Sequence, residues 1–292
     1  MPETTCAACD CTLDASAVQV TIGGHAVEVC CDACATKLKE AHRSAITSDQ
    51  ARKAETFQAL HIGGTPLVLF NVWDAGSAKA VAMSGVKAIA TSSWSVAAAH
   101  GLVDGERIPL ALAVDNLRRI VSATELPVTV DLESGYADVG ETIGLAIEAG
   151  AVGCNLEDSR PADGSLREIA EQCARIREAR QSADALHSSF FINARTDVFL
   201  QPGADRVGEA IARSRAYAAA GADGIFAPGL EDKELISQLV EGSPLPLNIM
   251  VGDRTPTLPE LAARGVARVS HGPRPYLLAM QALQLAARAA TA

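Results

Sequence analysis

From Pro66 onward the chain repeats one unit, a run of four to six mostly apolar residues followed by an alanine-rich stretch with helical periodicity. The runs fall at 67–72, 86–91, 127–132, 152–157, 190–195, 224–227, 246–250 and 266–270. Helix-like stretches follow near 75–84, 109–124, 139–149, 166–182, 204–220, 232–240, 258–264 and 274–290, several closing on Ala-Gly as at Ala149-Gly150 and Ala220-Gly221. Alternation of this kind predicts βα units and a parallel sheet, because neighbouring parallel strands can be joined only by a crossover. Eight units favour an α/β structure closed as a (β/α)8 barrel over an open sheet. No Gly-rich phosphate loop follows the first run, which argues against a nucleotide ligand.

Three of the runs end in polar residues: Asp131-Leu-Glu133, Asn155-Leu-Glu157-Asp158 and Asn193-Ala-Arg195-Thr-Asp197. In a barrel these tips share the rim at the carboxyl ends of the strands, where such enzymes build their sites. Period-two alternation puts Asp131 with Glu133, Asn155 with Glu157, and Asn193 with Arg195 in phase. Three carboxylates converging there would repel one another unless a hard cation such as Mg2+ offset them, and Arg195 beside them suits a carboxylate substrate. The competing reading makes Glu157 or Asp158 a helix cap and pairs Arg195 with Asp197 or Asp158 in a rim salt bridge.

Composition narrows the partners. With 25 basic and 35 acidic side chains the formal charge is −10, which disfavours nucleic acid and anionic membranes. No apolar run approaches the roughly 20 residues needed to span a bilayer, and no basic region followed by an apolar stretch marks the start. The cytoplasm is the expected compartment.

Six of the eight cysteines, Cys6, Cys9, Cys11, Cys30, Cys31 and Cys34, crowd into the first 34 residues, which otherwise hold little aliphatic material. In a reducing compartment, paired short spacings favour a metal over disulfides. The pattern Cys6-x-x-Cys9 … Cys30-x-x-x-Cys34 suits tetrahedral, structural Zn2+. Cys31 is an alternative to Cys30, and Cys11 or His25 could substitute. The expected organisation is a Cys-rich zinc-binding unit over 1–43, a linker helix within 44–65 capped by Ser48 or Asp49, and the barrel over 66–292.

Several motifs in order, Asn71-Val-Trp-Asp74, Thr91-Ser92-Ser93-Trp94-Ser95, Asp131-Leu-Glu133-Ser-Gly-Tyr136, Asn155-Leu-Glu157-Asp158, Asn193-Ala-Arg195-Thr-Asp197 and Pro246-Leu-Asn248, resemble the isocitrate lyase and phosphoenolpyruvate mutase superfamily over residues 48 to 292. The cysteine unit resembles treble-clef fingers of the TRASH and YHS type. The superfamily resemblance implies a barrel, assembled as a homodimer or homotetramer, that binds Mg2+ and a small anionic 2-oxo or 2-hydroxy acid and works through an enolate. It implies that Asp131, Glu133 and Glu157 form the metal site and that Ser92, Ser93, Trp94, Asn193, Asn248 and Arg195 bind substrate. Asp104, Glu157 and Arg195 are the implied catalytic residues.

The departures bear on the reaction. After the fourth run, Glu157-Asp158-Ser159-Arg160-Pro161 leads almost directly into a helix, without the cysteine or lysine loop of the known lyases and mutases. Glu133 stands where an aspartate is commoner, and Phe226-Ala227-Pro228-Gly229 lacks a glutamate found in methylisocitrate lyases. Candidate replacements for the missing acid are Arg160, Tyr136, His100 and His271. The expected function is a Mg2+-dependent carbon–carbon or carbon–phosphorus lyase; the alternative is a catalytically reduced, metal-responsive or scaffolding barrel.

Overall fold

The computed structural model describes residues 5–291 except 10, 15, 23, 24, 187, 188, 204 and 205; of residues 21, 22, 25 and 42–47 it describes the backbone alone. It divides into two compact units, Met1–Arg52 and Lys53–Ala292.

In the first unit β1 (Val18–Ile22) and β2 (His25–Val29) pair antiparallel, with Val20 opposite Val27. Among the described residues its buried apolar side chains are few: Cys6, Val20, Val29 and Ala35. Helix α1 (Asp32–Ala59) follows, and the division between the units falls within it. The expected break near residue 44, with a cap at Ser48 or Asp49, is absent. The segment contains neither glycine nor proline, and its Ala, Lys, Glu, Gln and Arg residues propagate a helix already under way. A cap forms only where the chain enters from extended backbone; Asp49 instead pairs with Arg52 one turn on.

In the second unit the strands are β3 (Leu67–Leu69), β4 (Ile89–Ala90), β5 (Val128–Asp131), β6 (Gly153–Glu157), β7 (Phe191–Arg195), β8 (Gly224–Ala227), β9 (Leu247–Met250) and β10 (Arg268–Ser270). They form one parallel sheet in the order β3-β10-β9-β8-β7-β6-β5-β4. The parallel bridge Val72–Thr91, with Val72 N–H donating to Ala90 O (2.8 Å), joins the two ends, so the barrel is nearly closed. The crossover helices are α2 (Ala75–Ala82), α4 (Leu110–Val121), α5 (Val139–Glu148), α6 (Ile169–Ala185), α7 (Arg206–Ala220), α8 (Lys233–Gly242) and α9 (Leu258–Ala263), with the short α3 (Ser93–Ala99) directly after β4 and α10 (Arg274–Thr291) following the last strand. Side chains fix their starts: Asp74 and Ser77 form a capping box on α2, Asp138 caps α5 and Asp232 caps α8. Gly150, at φ +97°, closes α5 where any Cβ would lie 2.7 Å from Val121. Helix α3 and the 3-10 turn Asp197–Leu200 have no counterpart in the predicted pattern; both are too short to show helical periodicity.

The amino-terminal end of the barrel is sealed by Phe57, fully buried among Leu67, Leu69, Ala88, Ala90, Val152 and Phe191. Its ring meets that of Phe191 edge to face at 5.6 Å. Gly153 makes room for it, since a Cβ there would sit 3.2 Å from Phe57 and 2.7 Å from the Phe191 carbonyl. With this end packed by Phe57, the opposite rim is where the polar strand tips can meet solvent.

Candidate active site

Register sets the geometry of that rim. Asp131 lies opposite Asn155, and Glu157 opposite Arg195, so the last residues of β6 and β7 stand side by side while Asp131 sits one pleat lower and Glu133 carries β5's line up to Glu157, whose N–H donates to Glu133 O (2.8 Å). The Asp131 N–H donates to Thr91 Oγ1 (2.9 Å), and its Oδ2 accepts from the N–H and hydroxyl of Ser93 (3.2 and 2.9 Å). Asp131 Oδ1 is buried without a hydrogen-bond partner. A buried, unpaired carboxylate oxygen is costly unless a proton or cation meets it.

Arg195 closes a ring of charge. Its Nη1 pairs with Glu157 Oε2 (2.8 Å), while Nε and Nη2 grip Asp197 (2.6 and 3.0 Å). The Ser159 hydroxyl lies 2.8 Å from Glu157 Oε1 and 2.9 Å from Asp197 Oδ2. Behind the ring, Asp158 is fully buried: its Oδ1 accepts the Asp197 N–H, and its Oδ2 accepts from Tyr217 Oη–H (2.8 Å) and Arg213 (3.1 Å). The guanidinium fork that could clamp a substrate is thus taken up by Asp197, the pairing of the rim salt-bridge reading, with Glu157 on the remaining nitrogen.

Electrostatics marks the cluster as short of positive charge. Burial, then Asp104, with Asp131 and Glu157 adding, pushes the Glu133 carboxyl up to about 8 against the lowering pull of the Glu106 N–H. Burial also raises Glu157 although Arg195 opposes it, and Asp104 is raised by desolvation and by Asp131. Arg195 shows the converse: burial lowers it, but Glu157, Asp197 and Asp131 outweigh that and hold it firmly charged.

The other predicted site residues scatter. Ser92 Oγ accepts from Ser95 N–H and caps α3, leaving Ser93 as the hydroxyl on Asp131. Trp94 packs edge-on against Tyr276, 6.0 Å between ring centres. Asn193 lies below the rim, its Nδ2 donating to Asn155 Oδ1 (2.9 Å). Asn248 is buried, its Oδ1 accepting from Ser270 (3.3 Å) and its Nδ2 unpartnered. Of the candidate acids, His100 bonds its own helix at Val96 O, His271 bonds Leu69 O, and Arg160 turns to Leu166 O and Glu171. Tyr136 lines a small, partly open cavity with Ser93, Asp131 and Glu133. Its phenol is raised by burial, then by Glu133 and Glu106, and stays neutral. Sequence reasoning missed Ser159, Glu106 and the buried Arg268, whose Nη2 donates to Asn155 Oδ1 (3.2 Å). Ser159 carried a signal, following Glu157 at the period-two spacing; the other two lie outside any tip motif.

In the first unit the Sγ atoms of Cys6, Cys9, Cys30 and Cys34 all lie within 4.8 Å of one another, and Cys30 stands 3.6 Å from both Cys9 and Cys34. A Zn–S bond of about 2.3 Å in a tetrahedron implies S···S near ~3.8 Å, so the set fits Zn2+. The N–H groups of Ala8 and Cys30 point at the Cys6 sulfur (3.4 and 3.3 Å) and favour its thiolate, while the neighbouring thiols raise Cys30 and Cys34, since four sulfurs so close cannot all ionise without a cation. Cys31 lies 3.9 Å from Cys30, outside the set, and the His25 side chain lies outside the described residues.

Residues 57–291 match the model of the phosphoenolpyruvate phosphomutase family. A solved protein from Burkholderia cenocepacia J2315, provisionally assigned as a phosphonomutase, is 55% identical, with a TM-score of 0.80 over 82% of this chain and 99% of its own. Oxaloacetate decarboxylase of Pseudomonas savastanoi pv. phaseolicola is 32% identical over 78% of this chain and 81% of its own. The 2-methylisocitrate lyase of Bacillus subtilis is 30% identical over 68% and 67%. The fold, the ordered rim motifs and these likenesses agree: the chain belongs to the phosphoenolpyruvate phosphomutase family, within a superfamily of lyases and mutases.

Proposed function

We propose that the protein is a Mg2+-dependent lyase or mutase that breaks or makes a carbon–carbon or carbon–phosphorus bond next to the enolate of a small 2-oxo or 2-hydroxy acid. One observation carries the reading: Asp131 Oδ1 is buried and unpartnered among Asp104, Glu133 and Glu157. An all-oxygen donor set of this kind suits a hard divalent cation. Asp131 and Glu157, with Glu133 behind them, would hold it. When bound, Mg2+ supplies the positive charge against which a substrate oxo group gains electron density.

The remaining steps belong to the chain. Arg195, kept charged by Glu157 and Asp197, presents its remaining N–H groups to the substrate carboxylate. Ser93 sits beside Asp131 and orients the same end. Tyr136, held neutral and made a weaker acid by burial and the surrounding carboxylates, shares a cavity with Ser93, Asp131 and Glu133 and is the group placed to protonate a strongly basic enolate carbon. Asp104 and Glu157 are the carboxylates suited to accept one. Relatives named as oxaloacetate decarboxylase and 2-methylisocitrate lyase support a small oxo or hydroxy acid as substrate.

A second reading, a barrel that binds such an acid without turning it over, is favoured by the segment after β6. It closes on itself through the Ser159–Leu166 bridge and sends Arg160 outward. A panel of oxaloacetate, 2-methylisocitrate and phosphonopyruvate, assayed with and without Mg2+, separates the two. Glu157→Gln and Asp131→Asn should each abolish Mg2+-dependent oxalate binding; undiminished binding in both removes the metal site, and binding without turnover favours the second reading.

Two further assignments accompany this one. The cysteine set holds structural Zn2+, supported by its sulfur geometry. A homodimer or homotetramer covers α10, supported by exposed Leu277, Leu278, Leu283 and Leu285 on a helix whose buried residue is Pro275. Light scattering tests it.

A further inference from the structure

Among the described residues three non-glycine positions adopt left-handed backbone: Glu106 (φ 57°), Glu133 (φ 53°) and Tyr136 (φ 57°). A side chain bearing Cβ is disfavoured there, and such positions persist only where their surroundings enforce them. All three belong to one construction. Glu133 Oε2 accepts the N–H of Gly105 (2.7 Å) and of Glu106, the residues that follow Asp104. In return, Glu106 Oε1 accepts the Ser134 hydroxyl (2.6 Å) and the Tyr136 N–H (2.8 Å), in the turn that follows Glu133. Each loop therefore supplies the carboxylate that ties down the other.

The turn is also held from its far side. Arg175 Nη2 donates to the carbonyls of Ser134 (2.6 Å) and Tyr136 (3.4 Å), and Arg167 Nη2 approaches Ser134 Oγ (3.4 Å). At Gly135 a Cβ would lie 2.8 Å from Leu156, so the turn is pressed against the barrel wall. Glu133 is almost wholly buried, and an aspartate, one methylene shorter, would fall short of the amides it grips. This explains a glutamate at that position in terms of reach.

We propose that Glu133 and Glu106 are positioning residues, a reciprocal carboxylate strap that fixes Asp104 and Tyr136 on the rim, with Glu133 acting through the loop it holds rather than as a primary metal ligand. The assignment rests on the reading of this rim as the substrate site, since that gives Asp104 and Tyr136 something to act on. The strap itself is open to measurement without a substrate.

The test uses the full chain with Glu106→Ala and Glu106→Gln, because Glu106 lies outside the proposed metal ligands and glutamine keeps an acceptor oxygen. Three quantities are read: amide exchange of residues 104–107 and 134–136, Mn2+ affinity, and kcat and KM on whichever panel acid is turned over. In Glu106→Ala, exchange in both segments should rise about tenfold or more while the barrel strands keep their protection. Mn2+ affinity should stay within about twofold, and kcat should fall about 10- to 100-fold at nearly constant KM, the scale expected from misplaced catalytic groups. Glu106→Gln should recover most of the exchange protection and of kcat. Unchanged exchange in the alanine variant, loosening of one segment only, or loss of Mn2+ affinity equal to that of Asp131→Asn overturns the strap. Absence of turnover by the wild-type protein counts against the proposed activity, and the exchange arm then decides the strap alone. If the alanine variant fails to fold, Glu133→Asp is read in the same way, with exchange at 104–107 again expected to rise.

Discussion

The cysteine unit and the barrel stabilise themselves by opposite means. Among its described residues the first buries Cys6, Val20, Val29 and Ala35, and it gathers four thiols within 4.8 Å. The second encloses a continuous core running from Val72 to Val269. So small an apolar core does not by itself offset chain entropy, which is the ground for proposing a zinc ligand in the first unit, whereas the barrel rests on burial. The rim of the barrel complicates the contrast. There Asp104, Asp131, Glu133 and Glu157 repeat the logic of the cysteine set, anionic groups brought together ahead of the cation that would relieve them.

Zinc removal tests the contrast most severely. Chelation, or Cys34→Ser, should unfold the first unit and leave the barrel folded, seen as loss of amide protection confined to residues 5–40. Elemental analysis of protein purified without added metal should find one zinc per chain. No zinc, or equal zinc in a chain truncated before Ser48, removes the assignment.

Breaking the barrel by its own means should take a single side chain. Phe57→Ala empties the plug among Leu67, Leu69 and Phe191 and should destabilise the second unit by about 3–5 kcal/mol in denaturant titration, without altering zinc content. A loss below about 1 kcal/mol would show that the amino-terminal end is not sealed by this ring.

The rim should respond to pH and metal together. Glu133 is raised to about 8 in the fold, above its unfolded value, so its contribution is complete below the unfolded pKa and is lost as pH rises through 8. Metal-free protein should therefore lose about 2–4 kcal/mol between pH 4.5 and 8, allowing for screening. Mg2+ should restore it, so the Mg2+-induced rise in Tm should grow with pH. His61, buried and lowered to about 3 by desolvation and then by Arg268, works the other way. It favours the fold as pH rises towards 6.5, which is why the difference with and without Mg2+ is the quantity to measure. A pH-independent difference counts against cation relief of the cluster.

The smallest effect concerns Arg195. Arg195→Lys should weaken oxalate binding by about 1–3 kcal/mol, since an ammonium cannot span Asp197 and still meet a second carboxylate. Unchanged affinity leaves Arg195 as the partner of Glu157 and Asp197 alone.

The eight βα units, the shared rim of Asp131, Glu157 and Arg195, and the cysteine pairs at 6/9 and 30/34 were legible from the chain alone. Hydrophobic period, strand phase and ligand spacing are local properties, written within a few residues of one another. The continuity of α1 was misread because a serine or aspartate at a helix interior looks like a cap until the preceding turn is known. What the tertiary structure decided is which partner each polar group takes. Ser93 rather than Ser92 on Asp131, Arg195 across to Glu157, and Glu106 paired with the turn after Glu133 all join groups from separate strands and loops, across 28 residues or more. Reach, burial and the strained backbone at 106, 133 and 136 select among chemically equivalent oxygens, and those depend on distances that exist only once the barrel has closed.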